Sequence, residues 1–409
     1  MKRIVTYLIA LFLLSTQEGH AQTFSRHFCD STLRLDYIFA GDTARQHIFV
    51  DELSMTPRWY GRKHRLAELP LKGDGQLTVT DPQTGDTLYR HSFSTLFQEW
   101  LATDEAKHTA RAFENVFLMP YPRHAVDVMV ELYDYHDRVM AQLRHQVDPR
   151  DILIRRPKEH TPFKTLQQAA DTTRCIHIAY VAEGYTEEQM PQFLADCQTA
   201  MESMFQHEPF TSMRDRFNIV AVLSPSKDTD VSQPGEGVWR NTALASHFDT
   251  FYSRRYLTTL HLKLLHDVLS AVPYEHIIIL ANTSHYGGGG IYNSYNLSYT
   301  RGKHFRPVVV HEFGHSFGGL GDEYPYGDAD PMYFSDTEPW EPNLTTHPEQ
   351  PKWQDLIDAR QAGVVEGGGY LSKGVWRSQE DCRMRTNEHP EFCPVCQQAL
   401  RRLIDFYTR

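Results

Sequence analysis

Apolar and polar residues alternate in short runs over the first third of the chain. In the segment 125–132, Val126, Val128 and Val130 fall on one face of an extended backbone. Similar runs are separated by glycine, proline and aspartate, which are typical turn residues. This period of two predicts half-buried strands, and we expect residues 22–155 to form an antiparallel β-sandwich.

The pattern changes after this region. Residues 156–172 combine charged side chains with Pro157 and Pro162, so they are predicted to form a linker. In residues 173–409, apolar runs that fit strands alternate with segments of helical period. This alternation predicts a layered unit of strands and helices. The expected fold class is therefore multidomain α+β.

Three strands and two helices are the most distinct elements of the second region. The apolar runs 176–181, 217–223 and 276–281 predict short buried strands. Thr186 is followed three residues later by a glutamine, a capping-box pattern that predicts the start of a helix. A second amphipathic helix is expected over residues 256–272, where apolar side chains recur at helical intervals.

Residues 1–21 have the three parts of a secretory signal peptide. Two basic residues precede an apolar run over 4–14, and Gly19 and Ala21 are small residues in front of a cleavage site. That run is too short to span a bilayer, and no other apolar stretch reaches about 18 residues. We therefore expect no membrane span and a mature chain that is secreted, periplasmic or at the cell surface.

The net charge limits the possible partners, and the cysteines limit the possible cross-links and metal sites. The 52 acidic against 41 basic residues give a net charge of -11, which excludes a nucleic-acid partner because phosphate binding needs a basic face. An even number of cysteines in an exported chain suggests disulfides, with reduced packing thiols as the alternative. A third interpretation is a structural zinc site that combines Cys393 and Cys396 with Cys382 and His389. The six cysteines are Cys29, Cys175, Cys197, Cys382, Cys393 and Cys396.

The segment 311–315 carries the most specific chemical pattern, His-Glu-Phe-Gly-His. Pro307 suits the first turn of a helix, and the valines before His311 indicate a buried helix rather than a solvated one. His311 and His315, four residues apart, project from the same face about one turn apart. Their imidazoles can bind one catalytic zinc ion, and Glu312 can act as the general base beside it.

The residues after this helix bear on the third metal ligand. Asp322 and Glu323 follow its closing glycines, and either carboxylate can complete the coordination. The run 311–324 resembles the M64 family of IgA peptidases, and its first part is similar to the metzincin pattern H-E-x-x-H-x-x-G. Most metzincins have a histidine where this chain has Gly321, which cannot bind metal. We therefore predict Asp322 as the third ligand, with Glu323 as the alternative.

The resemblance also implies an architecture and further site residues. It implies an N-terminal β-sandwich followed by a metzincin-like zinc peptidase domain, with a mixed sheet and an active-site helix. Metzincins carry a methionine beneath the metal, and Met384 is preferred over Met332 for that place. Tyr324 is a candidate donor to the oxyanion. The glycines at 287–290 fit either an edge strand that binds substrate or a flexible loop.

Together these features predict a secreted zinc endopeptidase with one catalytic zinc, acting on protein or glycoprotein substrates. Two alternatives stay open. The same centre could hydrolyse an amide in a cell-wall or glycan-linked substrate. The chain could instead be a surface protein whose β-sandwich binds a glycoprotein, with the peptidase half secondary. Specificity for immunoglobulin A does not follow from the motif, because substrate choice depends on the walls of the pocket.

Overall fold

A computed structural model of the chain describes residues 24–157, 161–325 and 336–409. The predicted signal segment 1–21 and Met332 lie outside these residues. The helices are α1 (Phe24–His27), α2 (Leu96–Leu101), α3 (Met190–Met204), α4 (Leu262–Val268), α5 (Phe305–Ser316), α6 (Gln354–Asp358) and α7 (Pro394–Thr408). The strands are β1 (Phe28–Gly41), β2 (Gln46–Pro57), β3 (Gly75–Thr80), β4 (Thr87–Phe93), β5 (Arg111–Pro122), β6 (Val126–Tyr133), β7 (Val139–Val147), β8 (Phe163–Gln167), β9 (Ile176–Glu183), β10 (Phe217–Val222), β11 (His276–Ala281), β12 (Gly288–Ile291), β13 (Tyr295–Tyr299), β14 (Val365–Gly368) and β15 (Leu371–Arg377).

Two antiparallel sheets form the N-terminal part of the structure. Their strand orders are β2-β1-β5 and β4-β3-β6-β7. In β6, Val126, Val128 and Val130 are buried and alternate with half-buried residues. Side chains of both sheets meet in one core, where the ring centroids of Phe93 and Phe117 lie 4.2 Å apart. The prediction of an N-terminal antiparallel β region is confirmed.

A six-stranded mixed sheet, with order β12-β13-β11-β9-β10-β8, organises the second part. Its four central strands run parallel, and β8 and β12 pair antiparallel at the two edges. Every residue of β9 and β11 is buried, as expected for parallel strands covered on both faces. The α+β class with a mixed sheet is therefore confirmed. β14 and β15 form a separate antiparallel hairpin.

The two faces of the mixed sheet belong to different cores. Ile178 and Tyr180 of β9 pack with side chains of α3, α5 and α7. Ala179 and Val181 point the other way and join the core that α4 shares with the N-terminal sheets. The N-terminal sheets and the mixed sheet are therefore parts of one packed structure, and the helix that carries the His-Glu-Phe-Gly-His pattern lies on the opposite face.

Local signals located most of these elements, with two differences. Thr186 and Gln189 form the expected capping box in front of α3. The helix expected over 256–272 is confined to α4, because Tyr256 and Thr258 form isolated β-bridges with other segments and Ala271 has a φ of 63°. The segment predicted as a linker contains β8, which pairs with β10.

A buried ion pair connects the N-terminal sheets to α4. The guanidinium of Arg34 donates to both carboxylate oxygens of Asp36, at 2.6 and 2.8 Å. Its third nitrogen lies 2.6 Å from Asp267 Oδ1. Arg34 is 4% and Asp36 2% exposed, so the pair is shielded from solvent. Among the described residues, none of the helices is long and apolar enough to cross a membrane.

Candidate metal centre and active-site cleft

Helix α5 brings His311, Glu312 and His315 to one place in the structure. The helix packs against β12, β13 and α3, and its apolar residues, including Val310 and Phe313, are buried in the core on that side. One ring nitrogen of each histidine and one carboxylate oxygen of Glu312 lie within 4.8 Å of one another. The structure therefore assembles the three groups that the sequence pattern predicts.

The two imidazoles are held in a defined orientation. The Nδ1–H of His311 donates to the carbonyl oxygen of Arg383 at 2.9 Å, and the Nδ1–H of His315 donates to that of Leu320 at 2.6 Å. A carbonyl oxygen can only accept, so each Nδ1 carries a proton and each Nε2 presents a lone pair. The two Nε2 atoms lie 3.0 Å apart. Two lone pairs facing each other at this distance require a proton or a cation between them.

The structure places Asp322 with these two histidines. Its Oδ1 lies 3.1 Å from His311 Nε2 and 3.2 Å from His315 Nε2. The hydroxyl of Tyr370 donates to the other carboxylate oxygen, Oδ2. Asp322 is 5% exposed. Three atoms that could bind one metal ion therefore converge on one point, with the carboxylate oriented by a tyrosine.

Glu323, the alternative ligand, points away from the histidines. Its carboxylate lies among Cys382, Cys393 and Cys396, and all four side chains are buried. Asn343 donates to Glu323 Oε1 at 2.9 Å. The side chain of Asn343 also binds both the N–H and the carbonyl of the residue before Asp322. These hydrogen bonds of Asn343 hold the loop so that the two consecutive carboxylates face opposite sides of it.

Met384, the predicted methionine beneath the site, is fully buried under α5. A Cβ atom built on Gly314 would lie 2.6 Å from Met384 Sδ, so the glycine allows this close approach. The turn around Met384 also supplies two contacts to the site. The Arg383 carbonyl accepts from His311, and the Met384 carbonyl accepts from the N–H of Glu323 at 2.9 Å.

The glycines at 287–290 include the edge strand β12, which packs directly on α5. A Cβ atom at Gly288 would lie 2.8 Å from Glu312 Oε1. One at Gly290 would lie 2.3 Å from the Glu312 carbonyl oxygen and 2.9 Å from His315 Cβ. Only residues without a side chain fit between this strand and the helix. The segment is therefore a strand, rather than the alternative loop.

A cleft of about 1120 Å³ opens over the histidines and Glu312. Its walls include residues of the N-terminal region, notably Asp74, Ser94 and Glu99. Tyr256 donates to Glu99 across this wall, and burial raises the pKa of Glu99 to about 7. The loops and helix α2 beside the N-terminal sheets therefore line part of the same cleft.

The charges in the centre favour a cation. Burial raises the pKa of Glu312. Burial lowers the pKa of His315, but the Asp322 carboxylate outweighs this and raises it to about 9. Burial acts to raise the pKa of Asp322, yet the two imidazoles hold it well below its usual value. The carboxylate thus stays ionised and attracts positive charge to the space between the ring nitrogens.

Two residues at the site, Tyr370 and Asn343, carry no signal in the sequence. Tyr370 lies 48 positions from Asp322 in the hairpin β14–β15, and Asn343 precedes no recognisable motif. Tyr324, the candidate oxyanion donor, stacks on His311 with ring centroids 6.5 Å apart. The contacts of Tyr370 and Asn343 depend on long-range folding and have no local signal, whereas Tyr324 belongs to the run 311–324 that the sequence analysis identifies.

The cysteines differ from the disulfide expectation. All six lie in the described part of the chain, and each is a free thiol. Cys382, Cys393 and Cys396 gather as the zinc-site interpretation required, but the fourth group beside them is Glu323. His389 is turned to the carbonyl of Glu391 instead, at 2.7 Å.

Comparisons with family models identify the family of the chain. The family model described as IgA Peptidase M64 matches residues 164–362 and 358–404, and the model described as Peptidase M64 N-terminus matches residues 23–144. These matches make the chain a peptidase, a hydrolase whose substrates are proteins. Since they cover more than half of its length, the chain belongs to the M64 peptidase family. No curated protein sequence gives a match.

Proposed function

We propose that the chain is a secreted zinc-dependent endopeptidase that cleaves proteins or glycoproteins. The observation that carries this proposal is the convergence of His311 Nε2, His315 Nε2 and Asp322 Oδ1, at mutual distances of 3.0 to 3.2 Å. Glu312 lies beside them at the cleft. The proposed organisation is a signal segment 1–21, a β-sandwich 22–155, a linker 156–172 whose strand β8 joins the mixed sheet, and a metzincin-like peptidase domain 173–409.

The donor set fits zinc. Ligands at 2.0–2.1 Å in a tetrahedron would be about 3.3 Å apart, close to the separations in the structure. Both Nδ1 atoms donate to backbone carbonyls, which is the outer-shell arrangement that presents Nε2 to a metal. Three protein ligands leave a fourth position open, as in catalytic rather than structural zinc sites. We assign this position to the side of the cleft.

In this mechanism, the protein's own groups orient the substrate and move the proton. A bound zinc ion supplies Lewis acidity, which makes water acidic near neutral pH and polarises a carbonyl group. Glu312 accepts a proton from the attacking water and later delivers it to the leaving amine. The raised pKa of Glu312, which follows from its burial, suits a group that must both take and release this proton. Tyr324 is our candidate for a donor to the developing oxyanion.

The size and the walls of the cleft support a protein substrate. Pockets for small molecules usually measure about 300–1,000 Å³, and this cleft of about 1120 Å³ exceeds that range. It lies at the junction of the N-terminal region and the second part, where binding sites are common. The edge strand β12 lines the cleft. Gly288 already forms a β-bridge with Tyr256, but the residues of β12 after Gly288 can pair with an extended peptide.

The proposal is tested by digestion of a denatured, unmodified protein mixture in ¹⁸O-labelled water. We expect new internal termini, with one ¹⁸O atom incorporated at each new carboxyl terminus. A chelator should abolish cleavage, and added zinc should restore it. If the protein cleaves only an amide in a glycan-linked or cell-wall substrate, the peptidase proposal is wrong and the chain is an amide hydrolase for that substrate. No hydrolysis by the zinc-loaded chain on either substrate would contradict both.

A further inference from the structure

A second cluster of metal-ligating groups lies behind the active-site loop. Ligand atoms of Glu323, Cys382, Cys393 and Cys396 all lie within 4.8 Å of one another. Cys382 Sγ is 3.9 Å from Cys396 Sγ, and Glu323 Oε1 is 3.3 Å from Cys396 Sγ and 3.9 Å from Cys393 Sγ. None of the four is more than 1% exposed. The cluster is therefore closed to solvent.

Backbone and hydroxyl hydrogen-bond donors point at two of the three sulfur atoms. Cys382 Sγ accepts from the N–H groups of Cys393 at 3.2 Å and Met384 at 3.5 Å. Cys393 Sγ accepts from the N–H of Cys396 at 3.4 Å and from the hydroxyl of Ser378 at 3.1 Å. Donors of this kind stabilise thiolates, which are the form that binds metal. The second observation is therefore that two of the three sulfur atoms, those of Cys382 and Cys393, accept hydrogen bonds from backbone or hydroxyl donors.

Packing of neutral thiols does not account for Glu323. Neutral thiols of Cys393 and Cys396 could donate to its Oε1, which also accepts from Asn343, but its Oε2 is buried and has no hydrogen-bond partner in the described residues. A buried carboxylate without full pairing is strongly unfavourable. A disulfide between two of the three cysteines would leave the carboxylate and one thiol in the same position. A cation bound to the carboxylate and the sulfurs would satisfy all four groups.

We propose that Glu323, Cys382, Cys393 and Cys396 bind a second, structural zinc ion. Tetrahedral ligation with sulfur at about 2.3 Å places two sulfurs about 3.8 Å apart, and the structure has Cys382 Sγ and Cys396 Sγ at 3.9 Å. Thiolates select soft or borderline metals such as zinc over calcium and magnesium. Four protein ligands without an open position define a structural site, not a catalytic one.

The proposed site would fix the geometry of the active centre. Glu323 follows Asp322 directly in the chain. Binding of Glu323 to the second ion would therefore anchor the loop that carries Asp322, the proposed third ligand of the histidine centre. Cys382 directly precedes Arg383, whose carbonyl orients His311. Cys393 and Cys396 begin α7. One ion would thus join the loop after α5, the turn around Met384 and the last helix. Its ligands act as positioning residues for the centre.

The test uses the full chain and a variant that leaves the second cluster intact. His311→Ala/His315→Ala should retain one equivalent of zinc, and the zinc K-edge spectrum of this variant should show sulfur neighbours at about 2.3 Å. Cys393→Ser should lose that equivalent, whereas Cys29→Ser, distant from the cluster, should keep it. If the histidine variant does not fold, the zinc K-edge spectrum of the wild-type protein is measured instead and should show the same sulfur neighbours.

Two results would overturn the second site. One is a folded histidine variant, or a wild-type protein, whose zinc has no sulfur neighbour. The other is a disulfide between two of the three cysteines in unreduced peptides of the purified chain. The proposal does not rest on the catalytic one. A wild-type protein with a single, sulfur-bound zinc that survives the histidine substitutions would support this site and contradict the zinc peptidase mechanism.

Discussion

The carboxyl groups of the consecutive residues Asp322 and Glu323 face opposite sides of one loop. Asp322 Oδ1 lies 3.1 Å from His311 Nε2, and Glu323 Oε1 lies 3.3 Å from Cys396 Sγ. Asn343 holds the loop between them. In our account, each carboxylate therefore serves a different metal ion, and the loop couples the two centres.

The hydroxyl of Tyr370 supports the first of these carboxylates. Because it donates to Asp322 Oδ2, Tyr370→Phe should weaken zinc binding at the histidine centre by about 10–100-fold. The measurement is the free zinc concentration that gives half-maximal hydrolysis. Tyr252→Phe, which changes a tyrosine that is 83% exposed, serves as the control. An unchanged half-saturation point in Tyr370→Phe would contradict a supporting role for its hydroxyl.

The contact between β12 and α5 should be intolerant of a side chain. Gly290→Ala places a Cβ atom 2.3 Å from the Glu312 carbonyl oxygen, so the strand or the helix must move. Misplacement by about 1 Å can lower activity by about 100-fold, and we expect a loss of kcat/KM of this order.

Gly363→Ala is the matched control for this substitution. The nearest atom to its Cβ would be 3.6 Å away, so its activity should remain close to that of the wild type. Both proteins should be compared by circular dichroism as well as by hydrolysis. Wild-type activity in Gly290→Ala would show that the edge strand does not constrain the active-site helix.

Sequence predicted the elements whose determinants are local. The alternation in 125–132 marks β6, the Thr186 capping box marks α3, and the spacing of His311 and His315 places both on one face of α5. These features depend on backbone periods and on hydrogen bonds within one turn, so they can be identified from a single chain.

Other features depend on contacts between distant segments. The direction of the Asp322 side chain is set by Asn343 and Tyr370, which lie 21 and 48 positions later in the chain. The ends of α4 are set by β-bridges that helical periodicity does not report. The sequence indicates the cysteine cluster as one of several interpretations, but its fourth group, Glu323, lies about 60 positions before Cys382 and belongs to the active-site loop.

The buried Arg34–Asp36 pair should be important for stability. Arg34→Met leaves the Asp36 carboxylate buried without its bidentate partner, which should lower the free energy of unfolding by about 3–5 kcal/mol. Arg150→Met breaks an exposed pair with Asp148 and should lower it far less, because solvent screens the pair. Urea titrations of both variants check this. Equal losses of unfolding free energy in the two variants would mean that burial does not make the Arg34–Asp36 pair more important for stability.

His276 should make the stability depend on pH. It packs between the rings of Phe317 and Tyr407, and burial lowers its pKa from 6.5 to about 4. The native state therefore binds this proton less readily than the unfolded chain does. The resulting contribution to stability is fully present above pH 6.5 and is lost as the pH falls from 6.5 to about 4. It amounts to about 3 kcal/mol at about 1.36 kcal/mol per pH unit.

The variant His276→Leu should lack this contribution. Its free energy of unfolding should fall by about 3 kcal/mol less than that of the wild type between about pH 6.5 and about pH 4. His47→Leu, at an exposed position, should follow the wild-type curve. Parallel curves for His276→Leu and the wild type would show that His276 is not held neutral by its surroundings.

The most direct measurement of the central claim combines zinc content with hydrolysis in Glu312→Gln. The amide cannot accept a proton from water, but it leaves His311, His315 and Asp322 in place. We predict a full complement of zinc and a loss of nearly all hydrolysis, while Glu388→Gln, at the exposed rim of the same cleft, stays active. A zinc-loaded Glu312→Gln protein that hydrolyses peptides at the wild-type rate would contradict the account.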